Sequence, residues 1–135
     1  MALDVIATCG YPYVVLSSVA GFDVRPFARL FRALSDETRV RIVALLGHGE
    51  LCVCHLERAL SLPQPLVSRH LGVLKAAGVV EGRRCGSWVY YRLAAQAAPE
   101  LQAALEAVVR AAGRPRVLRA DLARLKKACG PGACT

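Results

Sequence analysis

The stretch from Leu51 to Leu93 most constrains the fold, because two short helical patterns are followed there at once by two β-rich runs. The first pattern, Leu51 to Leu60, buries Leu51, Leu56 and Leu60 if helical, and it stops at Ser61-Leu62-Pro63. The second opens at Gln64-Pro65 and places Val67, Leu71 and Leu74 at i, i+4 and i+7. Gln64, Ser68, Arg69, Gly72 and Lys75 are thereby left outward. After Ala77-Gly78 come Val79 to Cys85 and Trp88 to Leu93, joined through Gly86-Ser87, which read as a hairpin with a glycine-bearing turn. A helix-turn-helix followed by a hairpin carrying Arg83, Arg84 and Arg92 is the order of a winged helix. The expected fold is mainly α with a small β-hairpin, a winged helix-turn-helix.

The flanks supply further helices. Asp23 is placed to cap one with Pro26 in its first turn, and Phe27, Leu30, Phe31 and Leu34 follow at helical spacing. Ser35 then caps a second, with Asp36 and Glu37 at its start and Val40, Val43, Leu45 and Leu46 as its apolar positions; Gly47 and Gly49 end it. A fifth helix begins at Pro99 with Leu101, Leu105, Val108 and Val109 on one stripe. Val117 to Ala128 is amphipathic too, with Leu118, Leu122 and Leu125 opposite Arg119, Arg124, Lys126 and Lys127. So small a core leaves apolar stripes over, and the expectation is a dimer in which helices one and five cross to the partner. The chain divides into an arm over 1–21, a winged-helix domain over 22–114 and a basic helix with a cysteine-bearing tail over 115–135.

Lys and Arg number 18 against 10 Asp and Glu, a formal charge of +8, which suits a polyanion or an anionic surface. One Trp and three Phe leave little surface for stacking on single strands, so duplex DNA is the better partner. No apolar run approaches the roughly 18 residues of a membrane span, and the apolar start carries Asp4 where a signal peptide would be basic. A cytoplasmic protein without a membrane partner is expected. There, six Cys read as reduced thiols, metal ligands or redox sensors rather than structural disulfides.

The segments ALSDETRVRIVALL, ELCVCHL, LPQPLVSRHLGVLKAAGVV and GSWVYYRL make the chain resemble the ArsR family of winged-helix metalloregulators, over roughly Pro26 to Leu93. The resemblance implies a small homodimeric repressor that holds double-stranded operator DNA until a metal or metalloid releases it. Leu-Cys-Val-Cys-x-Leu marks the arsenic-responsive branch, implying Cys52 and Cys54 as ligands for trivalent arsenic or antimony, an inducer rather than a permanently bound cofactor. Some members carry a third Cys where this chain has Glu57, and often Asp where it has His55. A third ligand would then come from Cys9, Cys129 or Cys134. The family's other metal site needs histidines on the fifth helix, whereas His48, His55 and His70 all lie earlier.

Soft thiolates select soft centres. Residues two apart on a helix point about 200° away from each other, so Cys52 and Cys54 within one helix could meet on one atom only if the start of that helix unwinds. Two other readings of the pair stay open, as small buried core residues and as a redox or persulfide switch. An arsenate reductase-like enzyme is the least favoured, because Cys52-x5-Arg58 lacks the glycine an oxyanion-cradling loop needs. Cys85 reads as a packing residue of the hairpin. For DNA, Gln64, Ser68 and Arg69 face base edges, His70 matches the family motif, and Lys75, Arg83, Arg84 and Arg92 face phosphates. The competing reading of the basic set is a solvated charged face.

Overall fold

In the computed structural model of the chain, residues 23–128 are described. The elements in order are α1 (Arg25–Ala33), α2 (Glu37–Leu46), β1 (Leu51–Cys52), α3 (Val53–Leu60), α4 (Gln64–Ala76), β2 (Val80–Cys85), β3 (Trp88–Leu93), α5 (Pro99–Ala112) and α6 (Arg116–Ala128). The arm 1–21 with Cys9, and the tail cysteines Cys129 and Cys134, lie outside the described residues.

Two helix starts differ from the expected caps. Val24, not Asp23, is the N-cap of α1, and the Asp23 carboxylate accepts from the Arg25 backbone N–H. Asp36, not Ser35, caps α2 by accepting from the Arg39 N–H, while the Ser35 hydroxyl donates to the Arg32 carbonyl and so finishes α1. The physical reason is reach: a capping oxygen must meet the N–H two or three residues ahead, and Asp36 stands at that distance.

The turn between α3 and α4 is closed by Ser61 in a left-handed conformation, φ 54° and ψ 45°. Its N–H bonds the Arg58 carbonyl and the Leu62 N–H bonds the Glu57 carbonyl, which satisfies the last carbonyls of α3. Pro63 then starts α4 in extended backbone, with Pro65 in the first turn where no N–H is needed. Val67, Leu71 and Leu74 of α4 are fully buried with Leu56, Ile42 and Leu45. Each such leucine contributes about 1.5–3 kcal/mol by leaving water.

The sheet has three antiparallel strands in the order β1-β3-β2. The hairpin pairs Val80 with Leu93 through Cys85 with Trp88 and turns at Gly86, whose φ of 60° suits glycine. The third strand is the difference from the expected two: Leu51 and Cys52 pair with Tyr91 and Tyr90. A helix-turn-helix with this wing, most of it helical, is a winged helix-turn-helix.

α5 packs on α2 so closely that a Cβ on Gly47 would overlap the Val109 side chain. α6 lies along α3, burying Leu118, Leu125 and Ala128, and with them Asp121. Asp121 accepts from Arg41 Nε and Nη2, both at 2.7 Å, and from Arg124. Arg124 also donates to the Ala59 carbonyl and Arg41 to that of Leu60, so one carboxylate ties α6 to α2 and to the end of α3. Asp121 pushes the Arg41 pKa further up, against the opposing effect of burial.

Candidate thiol site and nucleic-acid interface

Cys52 ends β1 with extended backbone, φ −79° and ψ 159°, and is the N-cap of α3; Cys54 sits in the first turn. This overturns the expectation that both lie in one helix and that closing them on a single atom unwinds it. The strand-to-helix junction rotates the first thiol toward the second, with the two Cα atoms 5.4 Å apart, and the sulfurs are joined as a disulfide. That pairing also departs from the expected reduced thiols. It places both sulfurs within reach of one small atom once reduced.

Cys52 is fully buried, whereas Cys54 and His55 are partly buried. A Cys52 sulfur, a Cys54 sulfur and a His55 ring nitrogen all lie within 4.8 Å of one another. Burial, and to a lesser extent the Arg58 charge, push the His55 pKa down, which keeps its imidazole neutral and able to donate an electron pair. Two soft sulfurs and a nitrogen fit a thiophilic metalloid or a borderline metal better than a hard cation. His55 was not among the expected ligands; its adjacency to Cys54 was visible, but only the β1-to-α3 turn brings its ring to the sulfurs.

Backbone pairing of β1 with β3 links this thiol site directly to the wing. Beside it, the exposed Arg83 guanidinium bonds the Glu50 carboxylate, which holds the Glu50 pKa down against the opposing effect of its desolvation. Arg83 also stacks over the Tyr90 ring at 5.1 Å, a cation-π contact. Arg92 is bonded to Glu81 across the hairpin, while Arg84 lies exposed on the same strand as Arg83. Two of the three wing arginines therefore carry an acidic partner that a phosphate would have to replace.

On α4 the Gln64 amide donates to the Ser68 hydroxyl at 2.8 Å on the exposed face, and Arg69 and Lys75 are exposed as well. His70 is placed differently from the other expected DNA contacts. Its side chain is 14% exposed and Nδ1 stands 3.4 Å from Arg39 Nη1 and 3.7 Å from the Asp36 carboxylate, so it braces α4 against the start of α2. Burial alone would raise the Asp36 pKa; the Arg39 N–H and the facing His70 and Arg39 outweigh it and lower it.

Two other expectations are corrected. Cys85 is exposed with a free thiol, not packed, because its position near the hairpin turn extends past the helices. The Cys52-x5-Arg58 segment is a strand end and a helix, so it forms no loop of converging N–H groups.

Residues 36–82 match the family described as bacterial regulatory protein, arsR family. The chain is 32% identical to the homodimeric winged helix-turn-helix domain of a possible ArsR-family regulator from Mycobacterium bovis, covering 68% of this chain and 91% of that one with a TM-score of 0.55. The chain belongs to the ArsR family. Its members are transcriptional regulators rather than enzymes, which fits the absence of an oxyanion loop here. The chain is also similar to the transcriptional regulator ArsR1 for arsenic resistance in Pseudomonas putida, 48% identical over 81 residues that make up 59% of this chain and 63% of that protein. The match thus spans less than two thirds of that relative's length. HlyU from Vibrio cholerae is 31% identical, covers 64% of this chain and 91% of that one, and has a TM-score of 0.57. Among the described residues no helix is long and apolar enough to cross a membrane.

Proposed function

We propose that this ArsR-family protein is a homodimeric, cytoplasmic repressor that binds operator DNA and is released when trivalent arsenic or antimony binds the reduced thiols of Cys52 and Cys54. The observation that carries the reading is the position of the thiol pair, between the strand that pairs with the wing and the helix that precedes α4. A ligand joining the two sulfurs fixes the angle between β1 and α3, and through them the angle between wing and α4. In this scheme Gln64, Ser68 and Arg69 meet base edges, and Lys75, Arg83, Arg84 and Arg92 meet phosphates. His70 keeps α4 seated on α2. The exposed Val24 and Phe31 of α1 supply apolar surface for the second subunit.

Coupling of this kind is worth about 1–3 kcal/mol, or roughly 5- to 150-fold in operator affinity. The test uses a duplex that the protein itself selects from a random pool, at fixed salt under a reductant. Arsenite is expected to weaken wild-type binding by at least the lower bound and to leave the Cys52→Ser/Cys54→Ser variant bound. Equal affinity with and without arsenite for the wild type rejects the proposal.

A second reading, repression switched by thiol oxidation or persulfide formation, draws support from the Cys52–Cys54 disulfide. It predicts that an oxidant alone, without metalloid, changes operator affinity and that a dithiol reverses the change.

A further inference from the structure

The buried face of α6 runs through Leu118, Asp121, Leu125 and Ala128. Leu118 packs with Val40, Ala44 and Ala112, whereas Leu122 and Leu125, further along, join the cluster containing Leu51, Leu56 and Ala59. Asp121 and Arg124 are held at the C-terminal end of α3, because Arg41 Nη2 bonds both Asp121 and the Leu60 carbonyl, and Arg124 bonds the Ala59 carbonyl. α6 therefore runs antiparallel to α3, toward the end that carries Cys52 and Cys54.

Both helices rise about 1.5 Å per residue, so equal numbers of steps from a shared level stay level. Arg124 is level with Ala59; five residues on from Arg124 is Cys129, and five back from Ala59 is Cys54. Cys129 also follows Leu125 by four, about 40° around a helix from a buried position, and directly follows buried Ala128. Cys134 is separated from that register by Gly130-Pro131-Gly132.

We propose that Cys129 of the same chain is the third sulfur ligand of the Cys52–Cys54 site, delivered by α6 and held in register by the Asp121 ion-pair network. The inference rests on the arsenic reading above. Arsenous acid, As(OH)3, exchanges its three hydroxides for three thiolates: three As–S bonds form, and each thiol proton leaves with one hydroxide as water. No electron is transferred once the Cys52–Cys54 pair is in its dithiol form. The network gives α6 a purpose that its distance from the wing leaves otherwise unexplained.

The test is arsenic X-ray absorption and arsenite titration on the reduced full-length protein. Three sulfurs are expected on arsenic in the wild type and in Cys9→Ser and Cys134→Ser, but two in Cys129→Ser, with at least tenfold weaker binding. Co-purified heterodimers pairing a Cys129→Ser subunit with a Cys52→Ser/Cys54→Ser subunit should contain no three-sulfur site. Three sulfurs persisting in Cys129→Ser, or one three-sulfur site per heterodimer, overturns the proposal. Undiminished arsenite binding in Cys52→Ser/Cys54→Ser overturns the arsenic reading itself, which separates the two failures.

Discussion

Replacing Asp121 with Ala tests whether α6 is part of the folding unit. Asp121 is fully buried, and its carboxylate receives two 2.7 Å bonds from Arg41, whose side chain is only 14% exposed. Deleting the carboxylate leaves a guanidinium largely out of water with only a 3.4 Å bond to the Leu60 carbonyl in its place. Breaking one side of a buried pair costs about 3–5 kcal/mol. For a chain of this size, with a shift of roughly 3–5 °C per kcal/mol, the thermal midpoint should fall by about 10–20 °C. Arg124→Ala removes a partner that is 40% exposed and should cost about 1 kcal/mol or less, so the two variants are an internal comparison. Replacing Asp121 and Arg41 together by Leu should recover most of the loss, because no unpaired charge then remains buried. The assay is urea and thermal unfolding followed by circular dichroism at one protein concentration, since dimerisation shifts the midpoint with concentration. A loss below about 1 kcal/mol for Asp121→Ala would mean that α6 is a separable appendage, and the packing argument would be wrong.

Two further outcomes follow from the charges. Arg84→Ala should reduce the slope of log affinity against log salt by about 0.9 for one lost phosphate contact per site, while Glu50→Gln, which releases Arg83, should tighten binding to duplex DNA; fluorescence anisotropy across a salt series reads both, and an unchanged slope in Arg84→Ala removes that arginine from the interface. His55 has a folded pKa below its ordinary 6.5, chiefly through burial, so below that pH the unfolded chain takes up the proton more readily than the native one. Its contribution is present in full above about 6.5 and is lost as pH falls through the lower folded value. The reduced wild type should therefore have a lower unfolding midpoint at pH 5.5 than at 7.5, and His55→Gln should narrow the difference; an equal difference in both proteins would place the effect elsewhere.

Much of the architecture was legible because it is written in local periodicity. Val67, Leu71 and Leu74 could be read as the buried stripe of α4, the hairpin from its β-branched runs and Gly86, and the outward Gln64, Ser68 and Arg69 from the same helical spacing. The thiols were also legible as a pair, though not as they stand. A two-residue strand has no period of its own, so β1 exists only because Tyr90 and Tyr91 offer it backbone partners. Without that pairing, Cys52 reads as the first turn of α3 and the thiols seem to diverge.

The sequence by itself determined the winged-helix order, the basic face and the presence of two thiols beside the helix pair, since each follows from neighbours within a few turns of chain. Only the tertiary structure decided how the thiols converge, which arginines are already paired, and that α6 belongs to the sensor helix. Those facts rest on contacts between residues far apart in the chain, such as Arg41 with Asp121 and Glu50 with Arg83, which no local pattern records.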